Sequence, residues 1–213
     1  MSSLFLENLN QHLTLFSCLE SLDEPVARAA TIITESLRNG GKLLLCGNGG
    51  SAADCQHIAA EFTGRFIKDR PPISAISLTT DTSALTCIGN DYSFNEIFRR
   101  QVCALGRPGD ILLGITTSGN SGNVLTAVEA AHAMGIQSIG LLASAVAHEL
   151  AQRLRLPHVF FGHRADRVGR EEAFERAAAV VAGRAGGHEG GHGTSGQGLR
   201  QLGGLHRDRK SVV

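Results

Sequence analysis

The sequence lacks net charge: 20 basic side chains stand against 20 acidic ones in 213 residues. A whole-chain basic footprint is absent, so no direct nucleic-acid binding is expected. No apolar run reaches the roughly 18 residues that cross a bilayer, so no membrane segment is expected. The opening MSSLFLENLNQHL has no basic stretch and carries Glu7 within its apolar face, unlike a signal peptide. Five cysteines, at 18, 46, 55, 87 and 103, are odd in number and scattered, with no CxxC. That argues against a disulfide framework and a cysteine zinc site, and for a reducing, cytoplasmic setting.

Isoleucine is missing from the last 71 residues; all 12 lie before residue 143. The charge divides at the same place. Residues 1–142 hold 9 basic and 13 acidic side chains, and residues 143–213 hold 11 and 7. Ten of the last 11 basic residues are arginine, and ten of the 22 residues in 183–204 are glycine. So few apolar side chains cannot offset the entropy of ordering that stretch. The expectation is a patterned body in 1–182 and a disordered Gly/His/Arg-rich tail in 183–213. Out-of-frame translation of GC-rich coding sequence would produce such a composition, and genuine divergence is the competing account.

The body alternates helix and strand. Helical spacing covers 3–17 and 24–38, with Pro25 suited to a first turn, and Asn39-Gly40-Gly41 stops the second helix. Strands are predicted at 43–46, 74–78, 111–115, 138–142 and 158–161. Helices are predicted at 52–62, 83–88, 94–105, 123–134 and 145–155. This alternation means βαβ units and a parallel sheet covered on both faces.

Two polar, glycine-containing turns follow strands and open helices: CGNGGS (46–51) and TTSGNS (116–121). Free N–H groups at a helix start suit phosphate, and ligands of open α/β sheets bind beyond the carboxyl ends of strands. Glycine turns with serine N-caps are the alternative. GNGGSA lacks the GxGxxG spacing, and neither GxxxxGKS/T nor GxSxG is present, so a sugar phosphate fits better than ATP or NAD. His57 and Glu61 are four apart on one helix, which suits a metal pair, a base beside the phosphate, or a surface pair. Asn90 and Asp91, in an IGND turn, could reach a sugar or cap the next segment. His188-Glu189-Gly190-Gly191-His192 fits HExxH. Its two central glycines each cost about 1 kcal/mol in a helix, so it reads as a decoy.

Three segments carry a family resemblance: CGNGGSAADCQHIAAEFTGRF (46–66), TSALTCIGNDYSFNEIFRRQV (82–102) and PGDILLGITTSGNSGNVL (108–125). Together they resemble the phosphoheptose isomerases of the sugar-isomerase (SIS) domain family, over roughly 1–142. The resemblance implies a flavodoxin-like three-layer sandwich, a homotetramer and active sites between subunits. It implies conversion of sedoheptulose 7-phosphate to D-glycero-D-manno-heptose 7-phosphate, the first step towards ADP/GDP-heptose and the lipopolysaccharide core. Asn48, Gly49, Gly50, Ser51, Asn90 and Asp91 match substrate-site positions. Thr116, Thr117, Ser118 and Ser121 match positions that hold the phosphate and nearby sugar. His57 and Glu61 match two zinc ligands, and Glu61 also matches the catalytic acid/base. The alternative within the family is a non-catalytic sugar-phosphate-binding or DnaA initiator-associating protein, and Glu61 favours the enzyme. The family's remaining zinc ligands, a Gln and a His, align with Gly169 and Ala177, so impaired activity is expected.

Overall fold

The computed structural model describes residues 3–142 and 158–161. The expected helix at 145–155, the positions 169 and 177, the HExxH match and the tail lie outside the described residues.

Helix α1 (Leu4–Cys18) starts on Ser3, whose Oγ accepts from the Leu6 N–H. A short 3-10 turn (Leu19–Leu22) leads to α2 (Asp23–Arg38). Acidic Asp23 and Glu24 open α2 and Arg38 closes it, matching the helix dipole at both ends. Gly40, at φ 83°, turns the chain out of the helix in a conformation that suits glycine.

Strand β1 (Leu43–Gly47) is buried along its whole length. Its side chains divide between two cores, as the two-residue period of a strand demands. Leu43 and Leu45 join Ala29 and Ile33 of α2 and Cys55, Ile58 and Phe62 of α3 (Gly50–Thr63). Leu44 and Cys46 join Phe98 and Val102 of α5 (Glu96–Leu105) and Val124 and Val128 of α6 (Gly122–Ala133). Burying each such leucine contributes about 2 kcal/mol. Between α3 and α5 lie β2 (Ala75–Ser77) and α4 (Thr82–Asp91). The sheet is completed by β3 (Ile111–Thr116), β4 (Gln137–Leu142) and β5 (His158–Phe161).

All four strand pairings are parallel, in the order β2-β1-β3-β4-β5. This is the flavodoxin-like three-layer arrangement that the family resemblance implies. From β1 the chain steps to β2 on one side, then returns to β3 on the other. The β1 and β3 carboxyl ends therefore flank the switch point, where a crevice opens.

Several element boundaries differ from expectation by one or two residues, α3 starting at Gly50 and α5 at Glu96, and two further differences have local reasons. Strand β2 covers only three residues because it is an edge strand, although Leu43 N–H to Ser74 O and Leu78 N–H to Leu45 O prolong its bonding. Helix α4 runs past 88 to Asp91. Asp81 caps its start, accepting from the Ala84 N–H at 2.9 Å, and the Tyr92 N–H still reaches Ile88 O. Asn90 and Asp91 thus end a helix instead of forming a turn.

At the amino ends of β1 and β3 sits an ion pair. Asp110, 3% exposed, accepts from the Lys42 ammonium and from the backbone N–H groups of Lys42 and Arg107. No helix among the described residues is long and apolar enough to cross a membrane.

Asp110→Ala strands three donors, and should lower the free energy of urea unfolding by about 3 kcal/mol. A loss below about 1 kcal/mol would mean the pair is as solvated as an exposed one. Burial pushes the Cys46 thiol up to about 12 and raises Cys55 as well, whereas Cys87 and Cys103 are exposed. Iodoacetamide at neutral pH should therefore modify Cys46 and Cys55 only after denaturation, as peptide mass mapping can read.

Candidate functional site

The crevice is walled by two loops. The first leaves β1 at Gly47, where α3 comes back so closely that a Cβ would stand 2.9 Å from the Ser51 Cβ and 3.0 Å from Ile115 O. Only glycine allows this approach. Gly49, at φ 58° and ψ −123°, then turns the chain into α3. No side chain caps α3, so the first-turn N–H groups at Gly50 and Ser51 keep their donor capacity. Gly49 and Gly50 are exposed, Asn48 is half-buried and Ser51 is buried.

The second loop is a hydroxyl cluster. Thr116, buried at the end of β3, shares a hydrogen bond with Ser121 Oγ at 2.8 Å and one with Ser118 Oγ at 3.3 Å. Ser118 Oγ accepts from the Asn120 N–H at 3.2 Å. Ser121 stands at the N-cap of α6 without a side-chain capping bond, its hydroxyl being turned to Thr116. Thr117 and Ser118 are exposed. Serine and threonine donors thus gather at an uncapped helix start, which is an anion-binding arrangement.

A pair of side chains ties the two loops together. Asn48 Nδ2 donates to Asn123 Oδ1 at 2.9 Å, and Asn123 Nδ2 donates to Asn48 Oδ1 at 2.7 Å. Sequence reasoning missed Asn123. The available signal was a carboxamide in the apolar first turn of α6, where only a partnered amide tolerates burial.

His57 and Glu61 face each other on α3, with His57 Nε2 3.6 Å from Glu61 Oε1. Glu61 is 24% exposed at its side chain, yet its Oε2 is buried and has no hydrogen-bond partner among the described residues. An orphaned buried carboxylate oxygen is costly and points to a missing donor or cation. Two ligand atoms about 2.0 Å from one tetrahedral metal stand about 3.3 Å apart, so this pair fits two corners of such a site. No group of three potential ligands occurs among the described residues. Glu61 is ten residues beyond Ser51, about 15 Å along the helix axis.

Asn90 and Asp91 form a separate exposed group. Asn90 Nδ2 donates to Asp91 Oδ1 at 2.9 Å, and the Cys87 thiol donates to Asp91 Oδ2 at 3.3 Å. These bonds, the Asn90 one foremost, hold the Asp91 carboxyl below its ordinary range and raise the Cys87 thiol. The structure gives them no hydrogen bond to either loop or to Glu61 among the described residues.

The SIS domain family model matches residues 5–143. The phosphoheptose isomerase of Rhodospirillum rubrum is 60% identical over 116 residues, covering 54% of this chain and 62% of the relative. That of Aliarcobacter butzleri is 52% identical over 140 residues, covering 66% and 74%. The chain spans about three fifths of the length of the first curated relatives it matches, at 62% and 61%. The structure of phosphoheptose isomerase from Neisseria gonorrhoeae superimposes with a TM-score of 0.73 at 41% identity, covering 84% of this chain and 92% of that one. The chain belongs to the SIS domain family and, within it, to the phosphoheptose isomerases.

Proposed function

We propose that the chain is an aldose–ketose isomerase that interconverts sedoheptulose 7-phosphate and D-glycero-D-manno-heptose 7-phosphate through an enediol. The observation that carries this reading is Glu61: a carboxylate with one buried oxygen that has no partner among the described residues, on the helix that opens from the first loop. A base for abstracting a proton next to a carbonyl needs such an environment. Relatives at about 60% identity are named phosphoheptose isomerase, which favours the enzyme over a purely binding role.

The roles divide as follows. Thr116, Thr117, Ser118 and Ser121, with the start of α6, hold the phosphate. Asn48, Gly49, Gly50 and Ser51 meet the sugar chain, and Asn90 and Asp91 meet its hydroxyls. Glu61 takes a proton from C1 of the ketose, and the C–H electron pair becomes the C1=C2 bond of the enediol as the C2 oxygen gains a proton. The proton on Glu61 exchanges with solvent while the enediol stands, Glu61 then protonates C2, and the C1 oxygen loses its own proton as the aldehyde forms. Holding the phosphate fixes the reacting carbons against the carboxylate, so orientation supplies part of the rate. The second acid/base group of the family aligns with Ala177, outside the described residues.

His57 and Glu61 are the residues that would hold zinc. Zinc would supply positive charge to the oxygen on which negative charge develops.

The setting of the reaction is part of the proposal. A homotetramer with sites between subunits suits two observations. Helix α1 leaves Leu4, Phe5 and Leu13 at 74%, 72% and 62% exposure, an apolar face with no cover from the described chain. Glu61 also stands far along α3 from the anchor loops. A phosphorylated sugar substrate suits a cytoplasmic enzyme that feeds heptose to surface polysaccharides, the lipopolysaccharide core among them.

The test is isomerisation of sedoheptulose 7-phosphate in D2O with zinc added. The expected product is aldose carrying solvent deuterium at C2; retained protium throughout would indicate a hydride shift and sink the enediol route. Full turnover would also refute the expectation that the altered C-terminus impairs activity. Glu61→Gln should lower kcat by about 1000-fold while sedoheptulose 7-phosphate still binds. Retained turnover would remove Glu61 from the role of base.

A further inference from the structure

The carboxamides of Asn48 and Asn123 come from residues 75 positions apart and satisfy each other on both sides, at 2.9 and 2.7 Å. Asn123 is 2% exposed, and Asn48 is half-buried. Among the described residues neither side chain bonds a backbone group. Neither caps α3 or α6, and neither satisfies a loop carbonyl. The pair therefore has no capping duty that would account for it.

A primary carboxamide has two N–H donors and two acceptor lone pairs. The reciprocal pairing uses one of each on Asn48. It leaves one N–H and one lone pair on the partly accessible member, in the loop between β1 and α3. An unpaired asparagine rotates and can present either end of its amide. Pairing through two bonds at once fixes the plane of the Asn48 amide and the place of its remaining donor and acceptor. A polyol phosphate offers both hydroxyl donors and oxygen acceptors to such a group.

We propose that Asn123 is a positioning residue of the sugar-phosphate site, acting through Asn48: the reciprocal amide pair holds Asn48 in the orientation that meets the sugar. This rests on the isomerase reading for the class of substrate. It extends that reading to a residue that is itself buried away from the ligand.

A double-mutant cycle in binding tests it. The dissociation constant of sedoheptulose 7-phosphate is measured by calorimetry for the full chain and for Asn48→Ala, Asn123→Ala and the double variant, with a melting temperature for each. Each single substitution should weaken binding about tenfold, the factor of one lost hydrogen bond. The double variant should stay within about threefold of the weaker single variant, because both changes remove the same contact. A double variant about a hundredfold weaker than the parent, or an Asn123→Ala that binds like the parent, overturns the proposal. If Asn123→Ala does not fold, the cycle is run with Asn123→Leu, which keeps the size, loses the amide and adds no charge. There too binding like the parent, or additive losses, overturns it. A parent chain that binds the sugar phosphate without converting it sinks the isomerase reading alone, since the cycle is read in binding. A parent chain that binds none removes both.

Discussion

The parallel pairing of β1 with β3 is the constraint from which the rest of the structure follows. Leu43 through Gly47 run in register against Ile111 through Ile115, buried on both faces. A strand buried on both sides needs a helix layer over each, and α2 and α3 cover one face while α5 and α6 cover the other. Because β2 and β3 lie on opposite sides of β1, the loops after β1 and β3 leave in different directions. The crevice between them is a consequence of strand order, and the polar side chains only furnish it.

Each end of this central pair is also joined by side chains. Before the strands, Lys42 meets Asp110. After them, Asn48 meets Asn123. Both pairs bridge the same two segments, yet they differ in chemistry. The first is ionic and is satisfied largely by backbone groups around it, since Asp110 also accepts two N–H bonds. Such a buried carboxylate is expensive to strip of partners, so it fixes where the strands start. The second is neutral and self-contained, and it closes the end of the sheet where the two helix starts converge.

Much of the fold was legible from residues 1–142 because the forces there are local. The continuous apolar run at 43–46, the glycine stops and the helical spacing each act within a few residues, and strand 158–161 was readable in the same way. The end of α4 was misjudged because Asn90 and Asp91 look like turn residues; the Asp81 cap and the Tyr92-to-Ile88 bond carry the helix through them. The candidate loops were legible as glycine and hydroxyl runs. Asn123 was not, because its reason for burial lies 75 residues away in sequence. The orphaned Glu61 oxygen was equally hidden, since the 57–61 spacing reports a shared helix face and says nothing of what shields one atom.

The choice of amides over charges at the crevice has an electrostatic logic. The uncapped starts of α3 and α6 carry partial positive charge of about half a unit each, available to a phosphate. A carboxylate at 48 or 123 would neutralise that charge and repel the dianion. At about 6 Å, even with an effective dielectric constant near 20, each unit of like charge opposes binding by about 3 kcal/mol. A lysine in either place would demand a buried counter-charge of its own. Two amides join the loops, satisfy one another and leave the field of the helix starts intact. At the opposite end of the strands, away from the two helix starts, the same mechanical task falls to an ammonium and a carboxylate.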